Sequence, residues 1–134
     1  MSLKNKKILL IIGGGISAYK SLDLIRLLQR KNCSLKIILT KTGKKFVTTL
    51  SISSLSKSRV FEDTFEQKNS GKMDHIALSR WADAILVLPS TANFMSKLSR
   101  GSADDLATTV ILASNKEIFL IPAMNVRMWE HKAT

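Results

Sequence analysis

Short runs of consecutive apolar residues alternate along the chain with stretches in which apolar positions return every three or four residues. Lys6 to Ile12 opens the pattern as a short β-branched run that ends in three glycines, Gly13-Gly14-Gly15, and reads as a buried strand. From Ser17 to Arg30, Ala18, Leu22, Ile25 and Leu28 fall on one stripe while Lys20, Asp23, Arg26 and Arg30 mostly point elsewhere, which predicts an amphipathic helix. Asn32 and Cys33 make the turn into a second buried strand, Leu35 to Leu39. Strand, glycine turn, helix and strand form the opening unit of a parallel, doubly wound sheet. The expected fold class is therefore α/β, with three layers in a Rossmann-like arrangement and helices on both faces.

The middle of the chain is less regular. A helix is expected over Gly43 to Leu50, starting near Thr42, followed by a polar, serine-rich stretch from Ser51 to Lys57. Val60-Phe61 suits a short edge strand, and Gln67 to Lys72 reads as a mobile loop. Pattern resumes in a short helix over Asp74 to Ala82, with Ile76, Leu78 and Trp81 as its apolar contacts. Ala84 to Leu88 is a third buried strand, stopped by Pro89, and Ala92 to Ser99 is helical. Asp104 or Asp105 caps a helix running to about Ala113, and Ile118 to Ile121 is a fourth core strand, stopped by Pro122. There is no internal repeat and no linker, so one domain over 134 residues is the natural reading.

Composition narrows the function classes. The formal charge is +11, but lysines and arginines are scattered from Lys4 to Lys132, with no long basic block and no aromatic interleaving for stacking bases. A solvated basic surface is expected and not a nucleic-acid binder, with attraction of anionic substrates as a secondary effect. No apolar run approaches ~20 residues, so no membrane partner is expected. The run Ile8 to Ile12 is too short for a secretory signal, and the single cysteine, Cys33, cannot form an internal disulfide; both fit a cytoplasmic location.

Candidate chemistry sits at strand ends. Gly13-Gly14-Gly15-Ile16-Ser17-Ala18 fits a loose G-x-G-x-x-A turn between strand and helix, where backbone can approach a phosphate. Glycine turns also serve simple close packing. A dinucleotide enzyme usually places an acid at the end of the second strand to hold ribose hydroxyls. Here that end is Thr40-Lys41-Thr42, which argues against NAD and leaves a phosphate-bearing mononucleotide open. Pro89-Ser90-Thr91-Ala92-Asn93 offers hydroxyls and an amide at another strand end, or simply a helix cap by Ser90 or Thr91.

Gly14 to Lys20, Asp74-His75-Ile76 with Trp81-Ala82-Asp83, Pro89 to Asn93, Gly101 to Leu106 and Pro122-Ala123-Met124-Asn125 occur in order. The last continues as Val126-Arg127-Met128-Trp129. Together these segments resemble the homo-oligomeric flavin-containing cysteine decarboxylases over essentially the whole chain. P-A-M-N-x-x-M-W is the most specific signal and the glycine turn the least. The resemblance implies FMN as cofactor, with Gly14, Gly15, Ile16, Thr40, Thr42, Thr91, Ala92, Asn93 and Ala123 around it. It implies catalytic roles for His75 and Asn125, with Asn125 on the substrate carboxylate and Met124 beside it, and no metal. An imidazole changes charge near neutral pH, which suits proton transfer. Read from the residues alone, His75 would be a surface or capping residue and Asn125 an N-cap. His131 is left as surface, Trp81 as core, and Met124, Met128 and Trp129 as core or interface packing.

The activity implied is FMN-dependent oxidative decarboxylation of 4′-phosphopantothenoylcysteine to 4′-phosphopantetheine, on the route to coenzyme A. A neighbouring ligase reading frame would favour that route over a peptidyl-cysteine substrate, which the same family also decarboxylates. Flavin prenyltransferases share the fold but lack the P-A-M-N signature. Family members continue into a substrate-clamp segment whose cysteine donates a proton, whereas the sequence ends at Thr134. The expectation is one FMN-binding domain, 1–134, without that clamp, for which Cys33 is no substitute; a non-catalytic FMN-binding or regulatory subunit is then an alternative. The resemblance also implies trimers, with dodecamers as a larger assembly, and Phe61, Phe65 and Trp129 are candidates for buried contacts.

Overall fold

The structure, a computed structural model, describes residues 2–62 and 75–134. Five parallel strands form one sheet: β1 Lys7–Ile12, β2 Ser34–Leu39, β3 Val60–Glu62, β4 Ala84–Ser90 and β5 Glu117–Pro122. Their order is β3-β2-β1-β4-β5. The chain starts in the middle, winds outward through β2 and β3, then returns to lay β4 on the other side of β1. The direction of winding therefore reverses between β1 and β4.

Alternation along the strands builds two cores. Ile8, Leu10 and Ile12 of β1 join Leu35, Ile37 and Leu39 of β2 under α1 Lys20–Arg30 and α2 Thr49–Ser56, which contribute Ile25, Leu28 and Ile52. Leu9 and Ile11 face the opposite way with Ile38, Ile85 and Val87. That side is covered by Leu78 of α3 His75–Trp81, Phe94 of α4 Ala92–Ser99 and Val110 and Ile111 of α5 Leu106–Leu112. A central strand buried on both faces needs a continuous apolar run, which is what the sequence of β1 supplies. The expected doubly wound α/β sandwich is the fold.

Several element boundaries differ from the sequence expectation. The segment after β2 is a single 3-10 turn, Gly43–Lys45, and the helix comes later, in the serine-rich stretch of α2. Thr48 starts that helix by accepting the Ser51 N–H at 3.0 Å, and Lys57, left-handed at φ 52°, ends it. The helix after the glycine turn likewise opens with a 3-10 turn, Ile16–Tyr19, before α1. Pro89 does not stop β4: the ladder to β5 shifts register between Val87 and Ser90 and then continues.

The largest departure is β5. It was expected as a core strand but is the edge of the sheet, with Ile118 packed against the core and Phe119 half exposed. Phe61 is buried in the core and offers no outer surface, whereas Trp129 is 53% exposed, as a contact candidate must be. Met128 is also exposed and Met124 only partly buried, so neither is a core residue of this chain. Phe65 and the Gln67 to Lys72 loop lie outside the described residues. No helix among the described residues is long and apolar enough to cross a membrane.

Candidate functional site

In an open α/β sheet the crevice opens where the winding reverses, because connections leaving the two central strands depart to opposite faces. Here the connection from β1 leads to α1 on one face and that from β4 to α4 on the other. A cleft of about 370 Å³ lies at that point, lined by Gly13 and Gly14 after β1, Thr40, Lys41 and Thr42 after β2, and Thr91 and Asn93 after β4. Phe94 and Lys97 of α4 and Asp104 and Asp105 before α5 complete its wall. The volume falls at the lower end of the small-molecule range.

The glycines are required by the way the strand ends meet. A methyl group at Gly13 would lie on the Pro89 carbonyl oxygen, and one at Gly14 would sit 2.6 Å from the Thr42 Cβ. Gly15, at φ 146°, occupies backbone space that residues with side chains rarely adopt. Close packing of the strand ends is thus what this turn requires of its glycines.

The hydroxyls divide into those the protein has used and those it has not. Thr40 Oγ1 donates to the Ile12 carbonyl at 3.1 Å and accepts from the Gly43 N–H at 3.0 Å, so it ties the β2 turn to β1. Among the described residues Thr42 Oγ1 has only a long contact to Thr40 Oγ1, 3.4 Å, and Thr42 lines the cleft. Thr91 is the α4 cap, accepting the Phe94 N–H at 3.1 Å, which leaves its own O–H to donate. Ser90 Oγ, fully buried beside it, has no partner among the described residues. A buried hydroxyl without a partner costs about 1–3 kcal/mol, so an unfilled hydrogen-bonding capacity is stored at this strand end.

Acidic residues shape the far wall. Asp105 accepts the Thr108 N–H at 2.7 Å, while the Thr108 side chain accepts from the Asp105 N–H, a reciprocal capping box at the start of α5. Asp104 is not a cap but the partner of Lys97, Nζ to Oδ2 3.1 Å, and the hydrogen bond from Lys97 holds its carboxyl below the ordinary carboxylate range. Lys97 and Phe94 escaped the sequence reading, since a lysine and an aromatic inside a helix read as solvent face and core. For Lys97, its four-residue spacing from Asn93 along one helix was the available signal.

The other predicted positions do not line the cleft. Gly15 and Ile16 continue the turn, with Ile16 79% exposed, and Ala92 opens α4 behind Thr91. Ala123 follows β5, its N–H donating to the Ser90 carbonyl at 3.2 Å, with Met124 next to it. Asn125 caps α6 Val126–Glu130 by accepting the Met128 N–H on Oδ1 at 3.0 Å, so the cap it was expected to be is real. Its Nδ2 has no hydrogen-bond partner among the described residues. His75 begins α3, half-buried. Because Asp83, just past α3, bonds to Lys7 at the start of β1, the His75 end of that helix points toward the same sheet edge as the cleft. The cleft lining includes neither His75 nor Asn125. Cys33 is half-buried, with burial raising its thiol pKa and Sγ donating to the Leu3 carbonyl at 3.4 Å, as a packing residue would.

The comparisons agree with this architecture. The coenzyme A biosynthesis bifunctional protein CoaBC of Bacillus subtilis is 40% identical over 131 residues, covering 98% of this chain and 32% of the relative. The chain thus spans about a third of the length of the curated relatives it matches. Among solved structures, the FMN-dependent cysteine decarboxylase SpaF superposes with a TM-score of 0.86 at 26% identity, covering 98% of this chain and 75% of that one. A PPC decarboxylase variant superposes at 0.80 with 30% identity, covering 95% and 75%. The flavoprotein family model matches residues 1–134, and with a five-stranded doubly wound sheet and a strand-end cleft in place, the chain belongs to the flavoprotein family.

Proposed function

We propose that this chain is an FMN-dependent decarboxylase unit acting on 4′-phosphopantothenoylcysteine in coenzyme A biosynthesis. The observation that carries the reading is a cleft of glycine, threonine and amide groups at the sheet's switch point, in a chain 40% identical over nearly its whole length to a coenzyme A biosynthesis protein. The donor set suits a phosphorylated mononucleotide: backbone at Gly13 and Gly14, hydroxyls at Thr42 and Thr91, the Asn93 amide and the α4 terminus. Gly15, Ile16, Ala92 and Ala123 extend the same edge. Thr40, whose hydroxyl is spent within the protein, shapes the turn.

When bound, FMN supplies a reversible two-electron acceptor, which is what loss of CO2 from a cysteine-derived carboxylate needs. The chain's own groups do the rest. Asn125, with Oδ1 committed to the α6 cap, presents Nδ2 as a neutral donor to the substrate carboxylate. A full positive charge there would hold the ground state too firmly. His75 moves the proton, and Met124 packs beside the substrate. The exposed apolar groups of β5 and α6, Phe119, Val126 and Trp129, support assembly into trimers, with FMN and His75 near subunit contacts. A reducing cytoplasm suits the unpaired Cys33.

The test is incubation of the FMN-loaded chain with 4′-phosphopantothenoylcysteine. Release of CO2 with 4′-phosphopantetheine supports the full reaction, and CO2 with an oxidised enethiol product supports only its first half. No consumption removes the decarboxylase reading and leaves an FMN-binding subunit. The likeness to EpiD, solved with the substrate peptide DSYTC, supports a second reading, a peptide substrate ending in cysteine, and the same assay with such a peptide separates the two.

A further inference from the structure

The cleft contains a charged pair that the reading above does not use. Lys97 lies one helical turn beyond Asn93, on the same side of α4, and both line the cleft. Its Nζ sits 3.3 Å and 3.1 Å from the two oxygens of Asp104. The connection between the two residues is firmly built: the Lys97 carbonyl accepts the Ser102 N–H at 3.0 Å, Gly101 turns at φ 69°, and the Asp105 capping box fixes the start of α5. Exposure is unequal. The Lys97 side chain is 23% exposed and Asp104 58%, so the cation is the inner partner and the carboxylate the outer, solvated one.

The charge balance of the lining gives the pair a consequence. Among the described residues the charged side chains on the wall are Lys41, Lys97, Asp104 and Asp105, and they cancel. Asp105 is committed to Thr108. A phosphomonoester carries close to two negative charges at neutral pH. A cleft of zero net charge receives it through neutral backbone, hydroxyl and amide donors alone, unless one cation can leave its carboxylate. Lys41 is exposed at the rim, whereas Lys97 is in the wall. The solvated carboxylate is the one that can give up its partner at little cost, because water replaces the lost contact.

Resting on the FMN reading, we propose that Lys97 is the cation that receives the phosphate of the bound flavin, and that Asp104 is its resting counter-ion, displaced when the anion enters. Lys97 is then a specificity residue that separates FMN from riboflavin, and Asp104 a competitor that limits affinity.

Flavin-fluorescence titration of the full chain with FMN and, separately, with riboflavin tests this without any turnover. Lys97→Met is expected to weaken FMN binding about tenfold and leave riboflavin within about twofold, with Lys97→Arg restoring most of the difference. Asp104→Asn is expected to tighten FMN binding several-fold, and added salt to shrink that gain. Equal losses for both flavins in Lys97→Met, or weaker FMN binding in Asp104→Asn, would make the pair a mere brace between helix and loop and overturn the proposal. If the unaltered chain binds neither flavin, the FMN reading falls and takes this one with it; if it binds FMN but the variants behave as a brace, only this inference falls.

Discussion

Gly14 offers the sharpest test of how the strand ends meet. A methyl group there would approach the Thr42 Cβ to 2.6 Å, its Oγ1 to 2.8 Å and its backbone carbonyl carbon to 3.1 Å. The first two distances lie far inside ordinary van der Waals contact, so Gly14→Ala must push the β2 turn away from the β1 turn. Overpacking of this kind costs about 1–3 kcal/mol. For a domain of this size that is a fall in Tm of roughly 4–12 °C. The obstacle is mostly a side chain, which makes the claim separable by a double-mutant cycle. Thr42→Gly removes both close atoms, so Gly14→Ala should cost at least about 1 kcal/mol less in that background than in the native one. Gly13→Ala should be worse and unrelieved by Thr42→Gly, since its obstacle is the Pro89 backbone. Gly101→Ala, with nothing within 4 Å, should cost only its left-handed strain, about 1 kcal/mol. Thermal melts of the variants provide the readout. A Gly14→Ala protein melting within 1–2 °C of the parent, roughly 0.5 kcal/mol or less, or a penalty unchanged by Thr42→Gly, would refute the packing argument.

Three further outcomes follow from the geometry. Asp105→Ala removes the capping box of α5 and should destabilise the chain by about 1–2 kcal/mol in urea unfolding, with Asp105→Asn losing less. Glu62 is held below its ordinary pKa by hydrogen bonds from Lys44 and Thr49, so its contribution is present above the unfolded value of 4.5 and is lost as pH falls through the lower folded one. The stability gap between the parent and Glu62→Gln should therefore be full near pH 6 and shrink below about pH 4 in denaturant titrations. His75→Asn and Asn125→Ala should abolish CO2 release while FMN titrations change less than about threefold, because neither lines the cleft.

The sandwich was legible because β1 and β4 carry continuous apolar runs and β2 is broken only by Lys36, and a strand covered on both faces requires such a run. The α2 helix was not, because four serines in Ser51 to Ser56 read as loop, while its stability comes from the Thr48 cap and from Ile52 packed under the sheet. Strand β5 carries the same apolar signature as a core strand, and nothing in its composition reveals that it lies at an edge with Phe119 facing out. In the site, the residues at strand ends and helix caps could be read from local motifs: Gly14, Thr42, Thr91 and Asn93 all reach the cleft. Lys97 and Asp104 could not, since their meeting depends on the turn at Gly101. Nor does sequence reveal that the Thr40 hydroxyl is already spent on Ile12 and Gly43.

Hydrogen–deuterium exchange of the full chain with and without FMN tests the central claim most directly. The account predicts slowed exchange in the amides of residues 13–19, 40–45 and 91–97, the connections that leave β1, β2 and β4 on one edge of the sheet. Unchanged exchange there, or protection confined to the opposite edge around residues 4–7, 31–34 and 83–84, would contradict it.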